Sequence, residues 1–391
     1  MASLIFRKGL DRKDAVAGML AENYHSAIVE RIKAGNFVYG SGRLTIHLAR
    51  EFGFCYGVDR AVDYAYQTRQ RFPERAVYLT GEIIHNPHVN QKLRAMGVGF
   101  LSDDQAAAER LGPDDVVILP AFGVTVAVLR QLDRRGCTIV DTTCGSVLNV
   151  WKNVRRYCEG GYTSIIHGKA WHEETQATAS QAAEHGGRYL VVLNRDEAHT
   201  LADYIRRGGD RGAFLAQFGA TASTGFDPDR DLERIGLANQ TTMLMSESLE
   251  IGEMLKAAMV DRYGEAALAD HFQAFDTICS ATQDRQDAVV RLIEQHPIDL
   301  MIVIGGYNSS NTCNLARICA RSRPTFHIAD PDGLISPDEI RHRPLGGVEV
   351  STRGWLPRRG AIAMGLTSGA STPDNLVGAA IAKLEAFASQ P

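Results

Sequence analysis

What this chain lacks narrows it first. No stretch approaches the roughly 20 consecutive apolar residues that cross a bilayer. The opening segment, MASLIFRKGLDRKDAVAGML, makes a poor export or transit signal, because its apolar run is short and Asp11, Asp14 and Glu22 arrive early. A cytoplasmic protein outside the membrane is therefore expected. Basic charge is not in excess either. A formal net charge of -4 provides no cationic field for a nucleic-acid backbone, so DNA and RNA are poor candidate partners. An anionic substrate would have to be held by local donors. The phosphate-cradling pattern GxxxxGK[ST] is missing, and no GxGxxG follows a strand-like run, which argues against nucleotide binding in those modes. Nor is there a CxxC unit to announce zinc or a ferredoxin-type cluster. The seven cysteines, at 55, 137, 144, 158, 279, 313 and 319, are odd in number within a 391-residue chain, so a disulfide framework is not expected. Some of these thiols would be metal ligands and the rest small buried hydrophobes.

What remains is a well-folding chain, 45% hydrophobic and 23% charged, long enough for two or three domains. Val16, Leu20, Tyr24, Ile28 and Ile32 fall four apart and Gly35 follows, which predicts one amphipathic helix over 14–34. We read residues 1–43 as an N-terminal helical extension packing on the body or on a partner subunit. Beyond it, near-continuous apolar runs at 76–80, 115–119, 138–141, 163–167, 189–193, 299–304 and 361–365 read as strands covered on both faces. Helical patterns fill 58–70, 123–134, 146–158, 282–294, 309–320 and 373–386. This alternation predicts α/β architecture with mostly parallel sheets. Glycines at 208, 209, 212, 219 and 225 among charges make 205–232 a loop or insertion outside the core.

Three segments place a cysteine at the end of an apolar run just before a helix: EFGFCYGV with Cys55, DTTCG with Cys144 and TICSAT with Cys279. In parallel α/β proteins, ligands gather where loops converge at the carboxyl ends of strands. A helix N-terminus also favours the thiolate that a metal requires. The three turns suggest three similar α/β units, at 44–143, 144–275 (with the insertion near 205–232) and 276–391. Spacings of 89 and 135 residues do not by themselves distinguish one shared metal centre from three unrelated buried cysteines. Polar runs follow other strands. GEIIHNPH carries His85, IHGKAWHEETQAT carries His172 and Glu174, and NQTT carries Thr241. NSSNT carries Ser309, Ser310 and Asn311, while GASTPD carries Ser371. Such runs either cap helices or, with exposed amides, form an anion site suited to a phosphate or diphosphate.

Taken together, GFCYGVDRAV, GEIIHNPHV, DTTC, HEET, TICSATQDRQDAV, GGYNSSNT and GLTSGASTPDNLV resemble, in order and across roughly residues 50–380, the 4-hydroxy-3-methylbut-2-enyl diphosphate reductase family. The resemblance implies three similar α/β domains around a central [4Fe-4S] cluster, held by Cys55, Cys144 and Cys279 with one iron open to the substrate alcohol. It implies that His85, His172, Ser309, Ser310, Asn311 and Ser371 grip the diphosphate, that Glu174 donates a proton and that Thr241 presents a hydroxyl near the alcohol. The implied reaction is the last step of the methylerythritol phosphate route, giving isopentenyl and dimethylallyl diphosphates. With no flavin or nicotinamide signature visible, electrons would come from a separate donor such as ferredoxin or flavodoxin. A homodimer is left open. Two positions depart from the pattern: Phe122, in PAFG, replaces a histidine common in bacterial members, and Gly145 replaces the usual proline. The phenylalanine and the extension look like the plant and cyanobacterial branch. Two rival readings use the same residues, a zinc hydrolase of a phosphorylated compound and a non-catalytic iron–sulfur sensor of isoprenoid diphosphates.

Overall fold

The computed structural model describes residues 4–275, 277–357 and 359–388. The chain forms two compact units. One comprises Glu109–Cys279 with the first residues through Ile5, and the other Phe6–Ala108 with Ser280–Pro391. Both are α/β with mostly parallel strands. Among the described residues, no helix is long and apolar enough to cross a membrane.

In the first unit, four parallel strands run in the order Phe272–Ala274, Ile235–Asn239, Thr163–His167, Tyr189–Val192. Asn239 pairs with His167, so these two strands end level and their following loops start side by side. A second parallel pair, Val116–Leu119 and Thr138–Asp141, likewise ends level at Leu119 and Asp141. These strands are apolar on both faces because helices cover them, as expected for parallel sheets. Leu237, Ile165 and Leu190 pack with Leu201, Ile251 and Leu255 from the covering helices Arg195–Arg207 and Met245–Tyr263.

In the second unit, the order is Thr325–Ile328, Leu300–Ile304, Ile362–Ser368, Leu44–Leu48, Val38–Ser41, with only the last strand antiparallel. Ile304 pairs with Ser368, which brings the NSSNT and GASTPD loops out at one edge. The parallel pair Val77–Leu79 and Val98–Phe100 carries the GEIIHNPH loop after its first strand.

Two expectations are corrected. Residues 14–34 form not one helix but two, Lys13–Tyr24 and Ala27–Ala34. His25 and Ser26 are extended, and the Ser26 hydroxyl accepts from the Val29 amide at 3.4 Å, so a serine able to cap ends one helix and starts the next. Val29 and Ile32 then join the core of this unit beside Val377, Ile381 and Leu384. The segment 205–232 is not outside the core. Asp210 caps the helix Arg211–Phe218 through its bonds to the Gly212 and Ala213 amides, and Phe214, Phe218 and Phe226 are buried. Three buried aromatic rings outweigh the glycines and charges around them, since each contributes about 1.5–3 kcal/mol on burial.

Candidate functional site

Within the unit containing Glu109–Cys279, the level ends of Thr163–His167 and Ile235–Asn239 determine the geometry. The chain leaving the first strand reaches His172, the N-cap of the helix Glu173–Glu184. The chain leaving the second reaches Gln240 and Thr241. Glu174 is 3% exposed, and its carboxylate does not simply face its own helix terminus. Oε1 accepts from the Thr241 amide at 2.6 Å and Oε2 from the Thr241 hydroxyl at 3.0 Å. Thr241 also accepts, through its carbonyl, from the Cys279 amide at 3.3 Å. The loop is braced from behind. Gln240 Oε1 accepts from the Lys169 amide and the Thr175 hydroxyl, and Thr277 Oγ1 accepts from the Asn239 amide at 2.7 Å.

His172 Nδ1 accepts from the Glu174 amide at 3.1 Å. An imidazole that accepts at Nδ1 keeps its proton on Nε2, which makes that nitrogen a donor suited to an anionic oxygen. The Phe122 ring lies edge-on to this imidazole, with centroids 6.1 Å apart and planes inclined by 72°. The next residue, Gly123, has φ +79°, and a Cβ there would lie 2.6 Å from the Trp151 ring, so only glycine fits the turn.

Cys144 is the N-cap of the helix Gly145–Glu159, and its amide donates to Ala121 at 2.8 Å. The turn before it is fixed by Asp141, whose Oδ1 accepts from the amide and the hydroxyl of Thr143. Gly145 occupies the first helical position, and nothing lies within 4 Å of where its Cβ would be.

In the other unit, Cys55 is the N-cap of the helix Tyr56–Arg71, and its amide donates to Ala370 at 3.1 Å. The Ala370 amide in turn donates to Asn311 Oδ1 at 3.0 Å. One residue of the GASTPD loop, Ala370, thus ties the Cys55 turn to the NSSNT loop. Ser309 caps the helix Ser310–Ala320 through the Thr312 amide, and its oxygen also receives the Thr312 hydroxyl at 3.0 Å. Ser371 Oγ lies 3.5 Å from Ser309 Oγ and donates to the His85 carbonyl at 3.3 Å. The His85 ring is oriented by Glu82, 2.9 Å from Nδ1, and Asn308 donates to the same carboxylate at 2.9 Å. Ser309, Ser371 and His85 are therefore gathered in one place, with Ser310 and Asn311 in the first turn of the helix that Ser309 caps. This is a cluster of hydroxyl, amide and imidazole groups at a helix N-terminus, a setting that favours anions.

The seven cysteines sort by environment. None is in a disulfide, and Cys55, Cys144 and Cys279 are half-buried at strand-to-helix turns. Cys137 and Cys319 are fully buried, and burial pushes the Cys319 thiol up to about 12. Cys158 is also pushed up by burial and lies 3.7 Å from the Ala182 carbonyl, while Cys313 lies 3.3 Å from the Tyr307 carbonyl. Cys158 and Cys313 are as half-buried as these three but lie within helices, so what distinguishes Cys55, Cys144 and Cys279 is their place at strand-to-helix turns. Three soft sulfur donors there fit an iron–sulfur group by donor chemistry.

Glu82, Gln240, Arg285 and Asn308 also hold this framework but were not singled out from the sequence. Arg285, 4% exposed, donates to the Gly53 carbonyl at 2.9 Å just before Cys55. Glu82, Arg285 and Asn308 lie inside the motifs of the resemblance and Gln240 in the polar run NQTT, so their place beside the singled-out residues was the available signal.

The comparisons with known proteins agree with this layout. The family described as LytB protein matches residues 46–385. The 4-hydroxy-3-methylbut-2-enyl diphosphate reductase of Gloeobacter violaceus is 51% identical over 97% of this chain and 91% of that protein. Its namesake from a Picosynechococcus is 48% identical over 99% and 95%. Such relatives are mostly cyanobacterial. A solved (E)-4-hydroxy-3-methyl-but-2-enyl diphosphate reductase, described as the terminal enzyme of the non-mevalonate pathway, superposes with a TM-score of 0.53 at 28% identity. It covers 87% of this chain and 99% of that one. A Plasmodium falciparum reductase structure, 21% identical and covering 85% of each chain, shares the fold with a TM-score of 0.62. On this sequence identity and coverage, the chain belongs to the LytB protein family.

Proposed function

We propose that this chain reduces (E)-4-hydroxy-3-methylbut-2-enyl diphosphate to isopentenyl and dimethylallyl diphosphates, the last step of the methylerythritol phosphate route, with Glu174 as proton donor. The observation that carries this is Thr241. Its amide and hydroxyl bond Glu174 while its carbonyl holds the Cys279 amide, so one residue links a buried acid to a cysteine-bearing loop.

The reaction breaks the allylic C–O bond, takes up two electrons and two protons, and releases water. Hydroxide is a poor leaving group, so a positioned acid matters. Glu174 enters the step protonated, which reverses the bond from the Thr241 hydroxyl to Oε2; its proton then passes to that hydroxyl, and the hydroxyl gives its own to the departing oxygen. Ser309, Ser310, Asn311, Ser371, His85 and His172 Nε2 hold the diphosphate and so fix where the alcohol lies. Cys55, Cys144 and Cys279, one from each of three α/β domains at 44–143, 144–275 and 276–391, would hold a [4Fe-4S] cluster with one iron left without a protein ligand. When bound, that group supplies electrons singly and a Lewis-acid position. A separate one-electron donor, ferredoxin or flavodoxin, and a cytoplasmic setting belong to the same proposal. Relatives named as reductases leave the zinc-hydrolase and sensor readings without support.

The test is anaerobic purification followed by product formation with dithionite and a viologen. Turnover that requires the reductant is expected, and Glu174→Gln should keep its brown colour and bind substrate while turning over about a hundredfold more slowly or worse. Near-wild-type turnover in that variant removes Glu174 from the role.

A further inference from the structure

Apart from all these residues, the unit of Phe6–Ala108 and Ser280–Pro391 contains a cavity of about 390 Å³. That volume falls in the range of small-molecule sites, about 300–1,000 Å³. It lies where the turn after the helix Ala27–Ala34 meets the strand Leu44–Leu48 and the end of the helix Ser280–Gln295. His47, Arg50, Arg291 and His296 line it, and no carboxylate does. The two imidazole rings lie 4.3 Å apart, inclined by 32°. His47 Nδ1 is buried without a hydrogen-bond partner among the described residues. Burial first, and then the neighbouring His296, hold His47 below the usual histidine range. Two imidazoles in tilted contact, with two guanidinium groups and no carboxylate among the described lining residues, make a setting that an anion would relieve.

The wall of this cavity is also strained. Asn36 and Phe37 adopt φ of 58° and 65°, a left-handed conformation that is costly for a phenylalanine. It is held by the bond from the Phe37 amide to Ile32 at 2.8 Å and by the Leu48 amide donating to Phe37 at 2.9 Å. Its effect is to pin Arg50. Arg50 Nη2 donates to Asn36 Oδ1 at 2.6 Å, and the guanidinium lies 5.1 Å from the Phe37 ring centroid. Strain kept where it fixes a charged group is a pointer to function.

We propose that this cavity binds a small phosphorylated molecule, with Arg50, Arg291, His47 and His296 around a diphosphate head and Phe37, Leu48 and Leu292 against a short apolar remainder. Guanidinium groups match phosphate oxygens in pairs, and imidazole N–H groups add single donors. The turn at Asn36 and Phe37 belongs to the N-terminal extension, so the extension helps to build a second anion site. This site and the proposed reduction do not depend on each other.

Calorimetric titration of the anaerobically purified holoenzyme tests it, using inorganic pyrophosphate and isopentenyl diphosphate as probes. The Arg50→Ala/Arg291→Ala double variant, whose arginines are exposed, should bind one equivalent fewer of each probe than the parent. Its kcat and KM in the reduction should stay within about twofold. At the lost site, isopentenyl diphosphate should bind about fivefold more tightly than pyrophosphate, as expected for about one fully buried methylene group's worth of apolar contact. Equal stoichiometry in parent and variant overturns the site, and equal affinity for the two probes overturns its apolar half. Should the double variant misfold, His296→Phe keeps the ring and removes the donor. It should lose the same equivalent, and full binding there overturns the proposal.

Discussion

The two units organise their reactive groups differently. In the unit of Glu109–Cys279, single side chains have single tasks and are locked to each other. Glu174 meets Thr241 through two bonds, and His172 is fixed by the Glu174 amide. In the other unit, the groups proposed to bind the anion are several and alike. Ser309, Ser371 and His85 are linked through hydroxyls and carbonyls, with the helix N-terminus behind them. The first arrangement suits proton transfer, where one atom must be in one place. The second suits holding a spread-out charge, where many moderate donors serve together. Losses in the first should therefore appear in kcat, and losses in the second should be graded and appear in KM.

The largest expected effect lies beneath that contrast, in the cysteines. Cys55→Ser, Cys144→Ser or Cys279→Ser should each abolish stable cluster binding and activity, whereas Cys319→Ser should keep iron and sulfide near parent values. Iron and sulfide determination on anaerobic protein decides this, and full cluster content in Cys144→Ser would break the assignment. Next, Ser309→Ala should raise KM about tenfold or more, the size of a lost hydrogen bond to a charged group, with a smaller change in kcat. A loss confined to kcat would erase the distinction between the units.

In one respect the units should behave alike. Each buries a histidine, His167 in one and His327 in the other, and burial holds both at about 4 against an ordinary 6.5. The unfolded chain takes up these protons first, so their stabilising contribution is complete above about pH 6.5 and is lost as pH falls towards 4. Each contributes about 3 kcal/mol across that window. Thermal unfolding from pH 7 to pH 4 should show the fall, and His167→Gln should flatten it. The smallest effect concerns Gly145. A Cβ there has nothing within 4 Å, and proline is pre-organised for the first helical position and removes an amide that has no intrahelical acceptor. Gly145→Pro should stabilise by about 0.4–1 kcal/mol, visible as a slightly higher Tm.

Much of the scaffold was legible in the sequence because parallel strands buried on both faces are nearly unbroken apolar runs. The strands at 138–141 and 163–167 fall where the pattern put them. The strand Ile235–Asn239, which delivers Thr241, was not anticipated. It is short and contains Gly236, and Tyr157 packs where a side chain at 236 would sit. The Tyr157 hydroxyl donates to Leu237 at 2.7 Å, so this strand is completed by a residue about 80 positions away, beyond the reach of local periodicity. The break at Ser26 was missed for the opposite reason. Apolar spacing of four continues straight through it, and only the capping bond to Val29 interrupts the helix.

By itself, the sequence determined which residue types lie at the ends of which strands, because apolar runs, caps and cysteine-bearing turns are local features of the chain. The joining of Glu174 to Thr241, of Asn311 and Cys55 to one residue, Ala370, and of Arg50 to a strained turn was decided only by tertiary structure. For the first two the physical reason is register: strands that end level bring together loops separated by about 60 or more residues, and no spacing along the chain encodes that pairing. Arg50 meets Asn36, 14 residues away, only because the turn at 36–37 takes a left-handed backbone.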